Sequence, residues 1–293
     1  METIVDELSS HLSTLSTKTN EFPLLDNCYP LSTFVLPSMS SCPMVSDGGN
    51  HLLIYHHQTL ILLRIPTFEI LFSISLSQFI ETTISDICFY SLENTFLFSS
   101  SNRIYSLSSS NKQIQLVQQF PNIIWSITQT SRSIFICYLF GFSIEQWDFT
   151  ENNITLMKTW PKSDLIEAFD MGINCIRAID QCLGMSIKGK DFSWRIDVFD
   201  VSTMTRIRRG QSIKQENDLH NWIGLIYPID RFRWLFADGD QGLFLIDQTD
   251  ENQHKQNKLK QLACNASLIR QVNSQTISSI IIQTHDALHS YNL

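Results

Sequence analysis

The chain is predicted to be all-β, a propeller of four-stranded antiparallel blades, and three observations carry that prediction. From about Cys42 onward, short runs rich in Ile, Phe, Val, Leu, Tyr and Trp alternate with clusters of Ser, Asn, Asp and Gly. Such alternation marks many short strands joined by turns. No long amphipathic helix breaks that region; Leu165 to Gly172 (LIEAFDMG) is the nearest candidate, at one or two turns. The runs also recur as a four-part phrase, with first strands beginning near Ile84, Ile123, Ile173, Trp222 and Leu268. Their spacings of 39, 50, 49 and 46 residues match the period of roughly 40 to 50 residues of a propeller blade.

Taken in order, residues 1–21 form a leader distinct from the propeller of residues 22–293. Ile4, Leu8, Leu12 and Leu15 recur at helical spacing and predict a short helix, either a partner-binding element or a loosely docked leader. The first unit reads CPMVSDG, HLLIYHH, TLILLRIP and FEILFSISL, and the second TTISDICFYS, NTFLFSS, SNRIYSLSS and KQIQLVQQFP. The third reads NIIWSITQTS, SIFICYLFG, FSIEQWDFT and NITLMKTWP. The fourth is GINCIRAID, QCLGMSIKG, SWRIDVFDVS and TMTRIRRGQ; the fifth is NWIGLIYPID, RFRWLFADGD, QGLFLIDQT and, after a polar insertion, KLKQLACN. The last unit, ASLIRQVN, TISSIIIQTHD and ALHSYNL, has three strands. Its open edge would invite aggregation, so Asp26 to Leu36 is assigned as the strand that closes the ring. The count is six blades; a seventh would need a unit that escapes the pattern.

Third strands end alike, at Gln146-Trp147-Asp148, Val198-Phe199-Asp200 and Leu245-Ile246-Asp247. A carboxylate at a strand end can accept backbone N–H bonds from the following turn. These features resemble the WD-repeat family of propellers: Trp147-Asp148 is a literal Trp-Asp pair, and Ala237 to Thr249 and Arg195 to Arg209 are similar to that family's strand-turn-strand stretches. No Gly-His pair precedes a blade, and only 10 of the 293 residues are glycine. The resemblance implies a non-enzymatic scaffold that binds proteins through its loops.

Composition narrows the function classes. The chain carries 21 Lys+Arg against 29 Asp+Glu, a formal charge of -8, with 43% hydrophobic residues. That balance excludes an extended disordered chain and argues against nucleic acid as the partner. No run reaches the roughly 18 to 20 apolar residues of a membrane span, and Glu2, Asp6 and Glu7 stand where a signal peptide needs a basic start. Seven irregularly spaced cysteines, most within apolar runs, read as reduced, buried thiols of a cytosolic or nuclear protein. The isolated domain is expected to be monomeric.

Candidate chemistry is sparse. His56-His57 on a strand would point to opposite faces and could not grip one ion together. His285 and His289 sit in a predicted strand turn, and Asp238 to Gly242 lacks the closing Glu of a calcium loop. No GxSxG, Walker, Rossmann or HExxH pattern occurs, so neither a catalytic residue nor a cofactor or metal is assigned. Partner contacts are assigned to Trp160, beside Pro161 at a blade boundary, and to two basic segments through Arg206, Arg208, Arg209, Lys255 and Lys258. Two rival readings stand beside the scaffold: a hydrolase or lyase built in the channel from several blades, and a docking module of a larger assembly.

Overall fold

A computed structural model describes residues 25, 28–36, 43–77, 83–130, 133–150, 153–213, 224–238, 242–250, 255–260, 263–270 and 277–292. The predicted helix over Ile4 to Leu15 and the strand start at Trp222 lie outside them.

Among the described residues, twenty-four strands form six four-stranded antiparallel sheets. Blade 1 holds β1's chain successors β2 (Met44–Ser46), β3 (His51–His56), β4 (Thr59–Arg64) and β5 (Glu69–Ser75), where β1 is Ser32–Val35. Blade 2 comprises β6 (Ile84–Tyr90), β7 (Thr95–Ser100), β8 (Arg103–Ser108) and β9 (Ile114–Gln119). Blade 3 comprises β10 (Ile124–Gln129), β11 (Ser133–Tyr138), β12 (Ser143–Thr150) and β13 (Asn153–Pro161). A single turn of helix, α1 (Lys162–Leu165), leads to blade 4: β14 (Asp170–Ile179), β15 (Cys182–Gly189), β16 (Trp194–Asp200) and β17 (Arg206–Arg208). Blade 5 holds β18 (Leu225–Pro228), β19 (Arg233–Ala237), β20 (Leu243–Asp247) and β21 (Lys255–Lys260). Blade 6 holds β22 (Asn265–Arg270), β23 (Ile277–Gln283) and β24 (Ala287–Asn292), and takes β1 as its fourth strand.

The closing strand falls inside the segment assigned to it: Ser32 to Val35 pair with Ser290 back to Ala287. Thr33 Oγ1 and His289 Nδ1 lie 3.2 Å apart across that seam. One outer strand departs from its expected place. β21 begins at Lys255, within the segment read as a polar insertion, because Asp247 pairs with Lys255. An outer strand buries little of itself, so its charged sequence, KQNKLK, hid it.

The core consists of six hydrophobic clusters, one between each pair of neighbouring blades. Adjacent residues of one strand face opposite neighbours: Leu183, Met185 and Ile187 of β15 pack toward blade 3, whereas Cys182 packs toward blade 5. Middle strands are therefore buried on both faces and read as unbroken apolar runs, as in Leu52, Leu53 and Ile54. Glycine serves this packing directly. A Cβ on Gly184 would sit 2.4 Å from the Trp234 ring of blade 5, and one on Gly224 would sit 2.6 Å from the Trp194 ring of blade 4.

Candidate functional site

Antiparallel strands alternate ends, so the loops between second and third strands, and between one blade and the next, share one face of the ring. Blades 3 and 4 load that face with aromatics. Phe140 and Phe142 flank Gly141 in the β11–β12 turn, Phe169 precedes β14, and Phe192 lies between β15 and β16; they are 49%, 71%, 52% and 39% exposed. Ile123, before β10, is exposed beside them. The backbone fixes the turn. Gly141 has φ +67°, and a Cβ there would meet Ile173 at 2.8 Å, so glycine is required. Phe140 also lies left-handed at φ +58°, and its ring stacks on Trp125 with centroids 6.4 Å apart.

Beneath this stack Trp125, Phe140, Gly172, Ile173, Asn174 and Lys188 line a largely apolar cavity of about 370 Å³. Lys188 is buried, and its ammonium lies 4.4 Å from the Trp194 ring centroid. Burial pulls its pKa down to about 8, against the opposing charges of Asp238 and Asp191. A wider groove of about 700 Å³ lies alongside, lined by Phe169, Lys190, Asp191, Arg195, Arg208 and Arg209 among others.

The groove stands on a buried charge network within blade 4. Arg195 holds Asp170 bidentately at 2.5 and 2.7 Å and donates through Nε to Asp197 at 3.1 Å. Asp197 also accepts from the Gly210 N–H at 3.0 Å, and burial raises its pKa against the pull of Arg195. At the solvent edge Glu167 accepts from Arg206 at 3.0 Å and from Arg209 at 3.1 Å, and these hydrogen bonds, Arg206 first, hold its carboxyl below the usual range.

The axis is occupied differently. All six inner strands contribute to a channel cavity of about 260 Å³. Within it Asp86 of blade 2 accepts from Arg177 of blade 4 at 2.7 and 2.8 Å. The same carboxylate accepts from Ser126 Oγ at 2.7 Å and from the Ile127 N–H at 3.0 Å, both of blade 3. Arg177 lies over Tyr227 of blade 5, 5.6 Å from the ring centroid, and Tyr227 donates to Asn265 of blade 6. Burial alone would lower the Arg177 pKa; the Asp86 charge outweighs it and keeps the guanidinium protonated. These polar side chains therefore tie five blades together and are satisfied by one another. Among the described residues no group of three or more His, Cys, Asp and Glu is placed to hold a metal.

The residues singled out from sequence are dispersed. Trp160 is 6% exposed in the cluster between blades 3 and 4, stacked on Phe135 with Lys158 over its ring. Arg206 and Arg208 lie on β17 and Arg209 just beyond it, Arg208 packed over Phe232. Lys255 and Lys258 are exposed on β21. The two basic segments thus form the outer strands of adjacent blades, 4 and 5. His56 and His57 are not alternating strand residues: His57 turns at φ +45° and the rings meet edge to face at 4.2 Å. His289 lies within β24, as a strand assignment requires; within Asp238 to Gly242, residues 239–241 lie outside the described residues. Asp200 and Asp247 do accept turn N–H groups, from Ser202 and Thr203 at 3.0 and 2.9 Å and from Thr249 at 2.9 Å. Sequence alone does not mark the phenylalanine face, because Leu139, Phe140 and Gly141 continue the apolar run of Ser133 to Tyr138 without a break. Their signal was Phe-Gly-Phe, a glycine between two aromatics where a turn was due.

No protein-family model matches the chain, and no curated protein matches it in sequence. In structure it is similar to a chain in the crystal structure of the mitotic checkpoint complex, with a TM-score of 0.55 and 9% identity over 92% of this chain and 77% of that one. At that identity the likeness is one of fold. No helix among the described residues is long and apolar enough to cross a membrane.

Proposed function

We propose that this chain is a non-enzymatic protein-interaction platform of WD-repeat-like type, cytosolic or nuclear, that engages a protein partner through the aromatic face of blades 3 and 4. The observation that carries this reading is the clustering of Phe140, Phe142, Phe169 and Phe192 on loops of two adjacent blades at one face. Large exposed aromatics are uncommon on a surface with no partner and are enriched at the anchoring points of interfaces. The ring beneath them is stiff, which lowers the entropic cost of binding. The similar chain in the mitotic checkpoint complex belongs to a multiprotein assembly, in keeping with this use of the fold. The channel supports the reading as well: its one aspartate on this network is held bidentately by Arg177, an arrangement suited to joining blades rather than to moving protons. The basic outer strands, with Arg206, Arg208, Arg209, Lys255 and Lys258, are proposed as secondary contacts that steer an acidic partner.

The test is affinity capture from native lysate with three forms of the protein: unaltered, Phe140→Ser/Phe142→Ser/Phe169→Ser, and Leu92→Ser on the opposite face. A partner retained by the first and third but lost from the second is expected. Equal retention by all three would defeat the proposed face.

A further inference from the structure

We propose that the partner binds through an extended acidic segment bearing one large apolar side chain. That side chain enters the cavity walled by Trp125, Phe140 and Ile173, and carboxylates about two to four residues along lie in the groove beside Lys190, Arg208 and Arg209. Such a segment would be the partner's contact with the face proposed above, and its assignment rests on that reading.

The cavity and the groove are consecutive features of one ladder. Gly172 pairs with Lys188, and Asp170 with Gly189, where β14 meets β15. Gly172 and Lys188 line the cavity, whereas Gly189 and Lys190 line the groove. Adjacent positions of an extended chain are about 3.3 Å apart, so a strand-like segment anchored in the cavity carries its next side chains over the groove within a few residues. The face is open to it: Phe140 borders the cavity, Phe169 borders the groove, and both rings are exposed.

The cavity walls select an apolar anchor. Trp125 and Phe140 lie stacked with their planes 22° apart, and Ile173 adds aliphatic surface. The Asn174 side-chain oxygen accepts from the Gly224 N–H at 2.9 Å, and the Lys188 ammonium lies over the Trp194 ring. A volume of about 370 Å³ is at the small end of ligand pockets. It suits one aromatic or large aliphatic side chain rather than a helix.

The groove selects carboxylates. Among the described residues its lining holds four cations, Lys190, Arg195, Arg208 and Arg209, against one acid, Asp191. Arg195 is matched by buried Asp170 and Asp197, and Asp191 Oδ1 is engaged by the Ser193 N–H and hydroxyl at 3.1 and 2.7 Å. Lys190 is exposed and donates to a neutral acceptor, the Ala168 carbonyl, at 3.2 Å. Arg209 is 52% exposed in its pair with Glu167. Exposed pairs hold little free energy, so its guanidinium can be shared with an incoming carboxylate. With Glu167 and Asp191 set against Lys190, Arg208 and Arg209, the rim stays positive in a chain whose formal charge is -8. Opposite charge on the partner then sets orientation and register, and the apolar anchor supplies the attraction.

Selection of a random linear-peptide library on the full chain tests this. Recovered sequences are expected to place a pair of Asp or Glu residues within about four positions of one aromatic or large aliphatic residue. A synthetic peptide of that consensus should lose at least about tenfold in affinity toward Phe140→Ser and toward Lys190→Glu, read by fluorescence polarisation. Replacing its acidic residues by lysine should restore binding to Lys190→Glu and abolish binding to the unaltered chain, a swap that a misfolded variant could not show. Recovery of neutral or basic sequences, or of none, would overturn the proposal, and so would acidic peptides whose affinity neither variant changes. An RNA oligonucleotide that binds the unaltered chain and not Lys190→Glu, in place of any peptide, would also overturn it by assigning the groove to a phosphate backbone. A lysate partner lost with the phenylalanines but bound through a segment without acidic residues would refute this class of partner alone. Acidic peptides that bind here while all three forms capture the partner equally would refute the interaction reading alone.

Discussion

Replacing Asp86 by alanine is expected to be among the most destabilising single changes in the ring, although it creates no large void. Its carboxylate accepts from Ile87 N–H at 2.9 Å, Ile127 N–H at 3.0 Å, Ser126 Oγ at 2.7 Å and both terminal nitrogens of Arg177. Without it the buried guanidinium keeps only neutral acceptors, Ser126 Oγ at 3.2 Å and the carbonyls of Ile176 at 2.8 Å and Ile127 at 3.3 Å. Breaking a buried ion pair from one side costs about 3–5 kcal/mol, whereas replacing both partners with apolar residues of similar volume is often nearly neutral. With a urea m-value of about 3 kcal/mol/M, the loss moves the unfolding midpoint down by about 1–1.7 M. Asp86→Leu/Arg177→Met should recover most of that shift. Unfolding followed by both tryptophan fluorescence and circular dichroism measures it, with coincident transitions as the check on two-state behaviour. An Asp86→Ala midpoint within about 0.2 M of the unaltered protein, or a double variant as unstable as the summed singles, would refute the structural role assigned to the pair.

Other outcomes follow from the same packing. Gly184→Ala forces a methyl group toward the Trp234 ring and is expected to cost about 1–3 kcal/mol by overpacking, measured by thermal or urea unfolding; Gly184→Ala/Trp234→Phe should be milder than Gly184→Ala alone. His56 is buried with neither ring nitrogen hydrogen-bonded, and burial, with His57 adding to it, lowers its pKa below 6.5. The unfolded chain therefore takes up this proton first as pH falls, so stability is held above about pH 6.5 and declines below it. His56→Gln should flatten the fall in Tm between about pH 7.5 and 5.5, leaving the part due to His289, whose pKa burial also lowers. A chain starting at Met44 lacks β1 and bares the edge of β24; size-exclusion chromatography should then show more self-association than the full chain does.

The fold was legible because propeller blades repeat a strand pattern that burial on both faces makes loud. Middle strands buried on both faces are nearly continuous apolar runs, as in Leu52 to Tyr55 and Ile134 to Tyr138. The parts that escaped were those whose physics is not apolar. β21 was hidden because an outer strand keeps its charges in solvent, and Phe140 was absorbed into a strand because an exposed aromatic looks, in sequence, like a buried one. The site's polar partners were beyond reach for another reason. Asp86, Ser126 and Arg177 are 40 and 51 residues apart in the chain, each in the first strand of its own blade, so no local spacing records their meeting.

The scarcity of glycine, which set this chain apart from the family it resembles, acquires a cause in the packing. Several glycines stand where a neighbour leaves no room for Cβ: Gly184 and Gly224 under tryptophan rings, Gly210 against the Ile196 backbone, Gly172 and Gly141 where the aromatic turn presses on β14. Tight turns elsewhere use other residues in the left-handed region, among them His57, Asn94, Ser101 and Asp180. Those residues carry conformational strain that glycine would avoid, so the ring's order must come from elsewhere. Its sources are the inter-blade clusters and the axial network in which Arg177 reaches across blade 3 to Asp86. A propeller held at its axis and between its blades leaves its loops under weak structural constraint. In blades 3 and 4 those loops carry exposed phenylalanine, which stability alone would not select.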